Sequence, residues 1–231
     1  MLLEKFFFIF VMFNETKGIV LRITPEPTMR RLPHYLHFLH RQAENGVTRI
    51  SSTVISTELS LDATQVRKDL EYTGVKGRPK TGFVVEELIK AINEFLDWHL
   101  EKAAFLVGAG NLGSAMLGYK RFNDYGLNII AAFDSDETKI GTHIYDTPIF
   151  SIDKIPVMAQ KMNVKIGVIT VPAFAAQQAA DLLIEGGIKA IWNFAPMNIR
   201  VPQNIVVENA QFSESLAALS RKLVEINYKE K

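Results

Sequence analysis

The sequence predicts an α/β chain: a helical N-terminal region, then a doubly wound parallel sheet, then one terminal helix. Three observations carry this prediction. Between Ala103 and Phe133 a short apolar run, a glycine loop, a helically spaced segment and a second apolar run follow one another. Downstream, residues 164–170 and 190–194 repeat the strand pattern on either side of a helical stretch that Gly186-Gly187 ends, and such alternation is that of a parallel sheet with crossover helices. Upstream, two short helical segments are separated by Ser60-Leu61-Asp62 alone, which is helix-turn-helix spacing.

At 231 residues, 48% hydrophobic and 22% charged, the chain has room for one large domain or two modest ones around real cores. A formal net charge of +1 supplies no global attraction for nucleic acid or membrane, so any basic surface has to be local. With no cysteine there is no disulfide, thiolate metal site or cysteine nucleophile, and a cytoplasmic location is the plain reading. Neither a metal site nor a catalytic residue is expected. Residues 6–13 are an apolar run of signal-peptide length, but no small-residue cleavage site follows and the run is too short to span a bilayer. Residues 1–23 are therefore expected to be an extension without regular structure, with no membrane attachment.

Residues 24–100 form the first predicted domain. Thr24-Pro25-Glu26-Pro27 reads as a stiff lead-in. Met29, Leu32, Leu36 and Leu39, with Tyr35 beside them, mark one face of a helix that reaches Glu44 and exits through Asn45-Gly46, with Pro33 placed to kink its first turns. Ser51 or Ser52 caps a second helix reaching about Leu59. Asp62 caps a third, whose Ala63, Val66 and Leu70 face inward, so Thr64, Gln65, Arg67 and Lys68 face outward. Glutamine suits an adenine edge, arginine a guanine edge and lysine a phosphate. Lys76, Arg78 and Lys80 sit in a glycine-bounded turn over residues 74–83 that contains no acid and reads as the wing of a winged helix. Residues 25–100 balance ten acids against ten lysines and arginines, yet between Ala63 and Gly82 five bases face two acids. DNA is expected to meet this helix and wing, together with Ser51 and Ser52 at the start of the second helix. A further helix over residues 86–100, with Leu88, Ile92, Phe95 and Leu96 apolar, leads onward without a Gly/Ser linker, so stiff coupling to the next domain is expected.

In the second predicted domain, residues 101–210, a buried strand over 103–107 turns through Gly108-Ala109-Gly110-Asn111-Leu112-Gly113 into a helix carrying Leu112, Ala115, Met116 and Tyr119 at helical spacing. Gly108 permits the tight turn, Gly110 lets backbone approach a pyrophosphate, and Gly113 lets the helix pack on its strand. Amides and the positive dipole end at the helix start favour the anion. A second strand over 128–133 ends on Asp134, about 20 residues past the glycines, where an acid accepts hydrogen bonds from ribose hydroxyls. Its charge repels a 2′-phosphate and Ser135 rather than an arginine follows it, so NAD(H) is favoured over NADP(H). Glycine loops alone are common, but strand, loop, helix, strand and acid in register make a dinucleotide-binding βαβ unit of the Rossmann type. Strands over 147–150, 164–170, 190–194 and 206–208, with a helix opened by Val171-Pro172-Ala173, complete the sheet. Ligands bind at the carboxyl ends of such strands, which directs Val171, Pro172 and Asn193 toward the nicotinamide half. Residues 211–231 form a last helix with Phe212, Leu216, Leu219, Leu223 and Ile226 on one face, a stripe suited to core or to a second subunit.

Taken together, these segments resemble one family, the redox-sensing transcriptional repressors called Rex. The resemblance is carried by RLPHYL (31–36), ISS (50–52), QVRKDL (65–70), VGAGNLG (107–113), AAFD with KIG (131–141), TVPA (170–173) and NFAP (193–196), in order from about Thr24 to Leu223. It implies a homodimer with an N-terminal winged helix, an NAD(H)-sensing Rossmann domain and a C-terminal helix exchanged between subunits. Its implied partners are operator DNA, NADH and NAD⁺, with release from DNA when NADH binds. Phe212 matches a position that the resemblance places near the nicotinamide, and Tyr119 one in the sensing region. The chain departs from the family at Arg78-Pro79-Lys80-Thr81-Gly82-Phe83, where K-R-G-x-G-Y is usual, at Gln211, where aspartate is usual, and at His37, where arginine is usual. Arg221 and Lys222 replace late aromatic residues of the tail.

Two other classes fit parts of the chain. A small NAD-dependent oxidoreductase needs a positioned acid or base, whereas the sheet half holds one histidine, His143, in an expected loop, and leaves no room for a substrate domain. A CoA- or nucleotide-binding module uses the same fold but requires neither Asp134 nor a linked winged helix.

Overall fold

The computed structural model describes residues 7–14, 18–210 and 212–229, with most side chains from Thr24 onward. The chain divides into two compact units, residues 1–99 and 100–231. In the first, β1 (Phe7–Asn14) and β2 (Gly18–Pro25) pair antiparallel, from Phe7 opposite Pro25 to Asn14 opposite Gly18. A hairpin therefore stands where the sequence reading places an extension without regular structure. Its strands are rich in Phe, Ile and Val, which favour extended backbone. Of that extension, residues 1–6 and 15–17 lie outside the described residues.

Helix α1 (Glu26–Glu44) begins earlier than its apolar face suggests. Pro25 caps it and Pro27 lies in its first turn, where a missing N–H costs little, so the expected lead-in is the helix start. Pro33 sits inside the helix. The cost of an interior proline, about 3 kcal/mol, is outweighed by burial of Leu32, Tyr35, Leu36, Phe38 and Leu39, at about 1.5–3 kcal/mol each. Next come β3 (Arg49–Ile50), α2 (Ser52–Glu58), α3 (Ala63–Glu71), β4 (Phe83–Val84) and α4 (Val85–Phe95). β3 and β4 pair antiparallel, Ile50 opposite Phe83, and so close the base of the wing. α4 stops at Phe95, short of the expected Leu100, because Asp97 turns left-handed (φ +54°) and the Trp98 amide bonds back to the Asn93 carbonyl at 2.9 Å. That is a Schellman closure. One core unites the unit: Leu32, Leu36 and Leu39 of α1 meet Ile55, Val66, Leu70, Leu88 and Ile92.

The second unit is built from β5 (Lys102–Val107), α5 (Asn111–Leu117), β6 (Leu127–Asp134), β7 (His143–Ile144), β8 (Thr147–Ser151), α6 (Ile155–Met162), β9 (Ile166–Ile169), α7 (Ala173–Glu185), β10 (Ala190–Asn193), β11 (Val206–Asn209) and α8 (Phe212–Lys229). The strands lie in the order β11-β10-β9-β5-β6-β8-β7, parallel except for the β7–β8 pair. Counted from β5, this is the doubly wound 3-2-1-4-5-6 order, whose switch point falls between β5 and β9. Side chains alternate across the sheet: Phe105, Val107, Phe133 and Ile169 pack with α6 and α7, while Leu106, Ala132 and Val168 pack with Met116 of α5. α5 ends at Leu117, and Tyr119 instead precedes a 3₁₀ turn over Lys120–Tyr125. Leu216, Leu219 and Leu223 of α8 are all exposed.

Candidate DNA-binding cleft and dinucleotide site

The cap residues position the helix-turn-helix. The Ser51 hydroxyl accepts the Val54 amide at 3.2 Å, and Asp62 Oδ1 accepts those of Thr64 and Gln65 at 2.8 and 3.0 Å. These bonds, the one from Gln65 foremost, hold the Asp62 carboxyl below the ordinary carboxylate range. In the wing, the Arg78 amide donates to the Gly82 carbonyl at 2.8 Å and the Gly82 amide returns a bond at 2.9 Å. Gly82 has φ +68°, and a Cβ there would lie 2.2 Å from the Ile50 carbonyl oxygen, so glycine is required on two grounds.

Between the wing and the helices lies a cleft of about 970 Å³ lined by Ser51, Ser52, Arg67, Lys76, Arg78 and Lys80, with Glu71 as its acid. Six of the nine residues expected to meet DNA thus share one concave surface. Thr64, Gln65 and Lys68 lie off it. Thr64, Arg67 and Lys68 are exposed, and the Arg67 guanidinium lies along its own helix, 3.3 Å from the Ala63 carbonyl and 3.5 Å from the Thr64 hydroxyl. Gln65 differs from expectation: its amide donates to Asp69 Oδ1 at 2.8 Å, so in this state it braces the helix instead of projecting from it.

Asp69 is a residue that the sequence reading passed over. It is fully buried and accepts bonds from Arg31 Nε (2.6 Å) and Nη2 (2.9 Å), Tyr35 OH (2.6 Å), Thr28 Oγ1 (2.9 Å) and Gln65 Nε2. Burial pushes its pKa up, but these donors outweigh burial and hold the carboxyl below its usual range. The same burial, with the bond to Asp69, raises the Tyr35 phenol. RLPHYL and QVRKDL are therefore the two halves of one buried polar lock that sets α3 on α1. The signal was an acid three residues after Val66 and beside Leu70, on the inward face.

In the second unit the glycine loop crosses the switch point. Gly108 has φ +101°, and a Cβ there would lie 2.7 Å from Val171 Cγ1. At Gly113 a Cβ would lie 2.1 Å from the Gly108 carbonyl oxygen, whereas at Gly110 it would meet nothing within 4 Å. The loop is thus tight on its protein side and open at Gly110, the shape of a cradle that accepts a pyrophosphate. Thr170 Oγ1 donates to the carbonyls of Val107 (3.1 Å) and Gly108 (2.7 Å), tying the end of β9 to the loop. The Ser114 amide is the first to bond back within α5, to Gly110 at 2.8 Å, and the amides of Asn111, Leu112 and Gly113 precede it.

Asp134 ends β6 with Oδ2 accepting the Ala109 amide at 2.8 Å and Oδ1 accepting the Asp136 amide at 2.9 Å, so the acid is fastened to the glycine loop itself. Lys139 Nζ lies 3.2 Å from the same Oδ2. Val171 is half-buried and Pro172 exposed at the mouth of β9. Asn193 corrects an expectation. It is fully buried, and its amide holds Met197 O and Asn209 Oδ1, each at 2.8 Å, while its oxygen accepts the Ala195 amide at 3.1 Å. It shapes the loop after β10 and presents no polar atom to a ligand. Tyr119 and Phe212 end a run of aromatic rings, Tyr119–Phe122–Trp192–Phe194–Phe212, with centroid separations of 5.0, 5.8, 4.6 and 6.4 Å. Gln211 lies outside the described residues.

The architecture defines a class, a winged helix-turn-helix joined to a dinucleotide-binding α/β fold. The family described as "Putative DNA-binding protein N-terminus" matches residues 24–71, and that described as "CoA binding domain" matches residues 100–197. The redox-sensing transcriptional repressor Rex of Treponema denticola is 44% identical over 86% of this chain and 94% of its own, and that of Bacteroides thetaiotaomicron 43% over 86% and 90%. A crystal structure of RSP with β-NAD⁺ and operator DNA superposes with a TM-score of 0.84 at 33% identity, covering 90% of this chain and 96% of the other. RSP with β-NADH gives 0.81 at 33%, over 91% and 100%. The chain belongs to the Rex family of redox-sensing transcriptional repressors.

Proposed function

We propose that this chain is an NADH/NAD⁺-responsive repressor that binds palindromic operator DNA as a homodimer and leaves it when NADH binds. The observation that carries the reading is the presence in one chain of a cationic winged-helix cleft and a glycine-loop βαβ unit whose terminal acid is bonded to the loop. Residues 24–100 read DNA, residues 101–210 hold NAD(H), and residues 211–231 pair subunits through the exposed face of α8. In the cleft, Lys76, Arg78 and Lys80 meet phosphates and Arg67 reaches the groove, flanked by the serines 51 and 52, while Thr64 and Lys68 approach DNA from the exposed face of α3 beside the cleft. Gln65 reaches a base by exchanging its bond to Asp69 for one to DNA. The pyrophosphate sits over Gly110, at the amides of residues 111–113, while Ala109 holds Asp134 in place and Asp134 takes the adenosine ribose. Val171, Pro172, Tyr119 and Phe212 surround the nicotinamide half.

Two half-sites on one face of a duplex demand recognition helices about 34–36 Å apart, so a modest rotation of the heads driven by NADH releases the operator. The reading assigns no catalytic role to His143, which is exposed at the sheet edge. No described helix is long and apolar enough to cross a membrane, and the reading places the protein with DNA in the cytoplasm. Selection of duplexes from random sequence by the unliganded protein, with separate calorimetric titration of NADH and NADPH, tests it. A palindromic consensus and tighter NADH binding are expected. Selection of no sequence, or equal affinity for both nucleotides, contradicts it.

A further inference from the structure

The ribose end of the site holds a cation that the recognition of NAD(H) by an acid does not require. Lys139 follows a tight turn after β6. The Thr138 amide and hydroxyl bond to Asp136 Oδ1 at 3.0 and 2.6 Å, and the Lys139 amide bonds to the Asp136 carbonyl at 3.0 Å. This folding back brings Lys139 Nζ to 3.2 Å from Asp134 Oδ2 and 3.7 Å from Asp136 Oδ2, with the lysine side chain 34% exposed. We infer that Lys139 is a specificity-determining residue: the preference for a 2′-hydroxyl over a 2′-phosphate belongs to the Asp134–Lys139 pair, and Lys139 becomes a 2′-phosphate ligand when the Asp134 charge is removed. This rests on the proposal that the site takes NAD(H).

The argument is one of acceptor sites and charge. A carboxylate offers about four acceptor positions. Asp134 Oδ2 already receives Ala109 and Lys139, and Oδ1 receives Asp136, so a ribose hydroxyl meets the remaining position on Oδ1. Two carboxylates and one ammonium leave a net negative charge at the ribose end, which repels a phosphate. Neutralising Asp134 leaves one carboxylate against one ammonium and detaches the ammonium from its nearer anchor. Lysine carries three donors on a flexible stem and is a phosphate ligand. It reaches the 2′ position because it already touches the carboxylate that faces that position.

The test is calorimetric titration of NADH and NADPH with the unaltered full chain, Asp134→Asn, Lys139→Met and the double variant, with circular dichroism confirming the fold of each. Asp134→Asn should tighten NADPH binding at least tenfold, and the double variant should lose that gain. In the chain that keeps Asp134, Lys139→Met should weaken NADPH by a larger factor than NADH, a comparison that stands if Asp134→Asn does not fold. Equal NADPH affinity for Asp134→Asn and the double variant, or equal loss of both nucleotides in Lys139→Met, overturns the inference while NADH binding by the unaltered chain upholds the proposed function. Failure of the unaltered chain to bind NADH overturns both.

Discussion

Asp69→Ala should destabilise the N-terminal unit by about 3 kcal/mol, because removing one partner of a buried ion pair costs roughly 3–5 kcal/mol. The structure sets the value within that range. Asp69 is 0% exposed, and its loss strands the Thr28 hydroxyl and the Tyr35 phenol, at 2% and 0% exposure. The Arg31 side chain, however, is 24% exposed, so water takes over part of its hydrogen bonding and the lower end applies. For a domain of this size each kcal/mol moves the midpoint by about 4–8 °C, so a fall of about 12–24 °C follows. The assay is calorimetric unfolding of the full chain, with operator binding measured by fluorescence anisotropy well below the new midpoint. DNA affinity should fall, since α3 loses its fixing to α1, while NADH affinity in the other unit is retained. Asp69→Asn, which keeps the shape and one acceptor, should cost less. A midpoint within about 4 °C of the unaltered chain, with DNA affinity intact, would refute the lock.

The lock also has a pH signature: the folded Asp69 pKa lies below its unfolded value of about 3.9, so its stabilisation is complete above about pH 4 and is lost as pH falls through the folded value. Tyr35 is shifted the other way, by its burial first and the bond to Asp69 second, so its contribution is present below about pH 10 and lost as pH rises further; urea titrations across pH should show both limbs in the unaltered chain, whereas Asp69→Ala should lose the acid limb and keep a smaller alkaline one. Gly113→Ala should abolish NADH binding by calorimetry with DNA binding unchanged, because its methyl would lie 2.1 Å from the Gly108 carbonyl oxygen. Operator affinity should fall with salt by a slope of about −0.9 per phosphate neutralised; substituting Lys76, Arg78 or Lys80 by Ala should flatten that slope, and Arg67→Ala should relax base preference by about 1–3 kcal/mol, as read by anisotropy on single-base variants of the operator.

The βαβ unit was legible because each demand in it falls on a residue type that little else can replace. A positive φ at Gly108, a backbone contact at Gly113 and an acid at a strand end leave traces in letters. The recognition helix was legible through Asp62 and the Val66–Leu70 spacing. What escaped was long-range. Asp69 stands on the inward face beside Val66 and Leu70, but its partners Arg31 and Tyr35 come from α1, 38 and 34 positions away, and Gln65 looks like a surface residue until Asp69 is seen to hold it. Asn193 was aimed at the ligand by strand topology alone, and only the return of β11 beside β10 shows its amide engaged by Asn209. α6 was missed although Pro156 in its first turn and left-handed Asn163 at its end mark both limits. α4 was drawn too long because its apolar pattern runs through Leu96, up to the left-handed turn at Asp97, which the letters do not mark.

The claim that both sites belong to one switch is tested most directly by measuring operator affinity and NADH affinity on the same protein preparation, each in the absence and at saturation of the other ligand. Linkage requires the two factors to be equal. The account predicts that NADH weakens operator binding, that the operator weakens NADH binding by the same factor, and that NAD⁺ shifts the equilibrium little. It also predicts that deleting residues 212–231 removes the coupling and leaves nucleotide binding in place. Operator affinity unchanged at saturating NADH would contradict it, even if each ligand binds well alone.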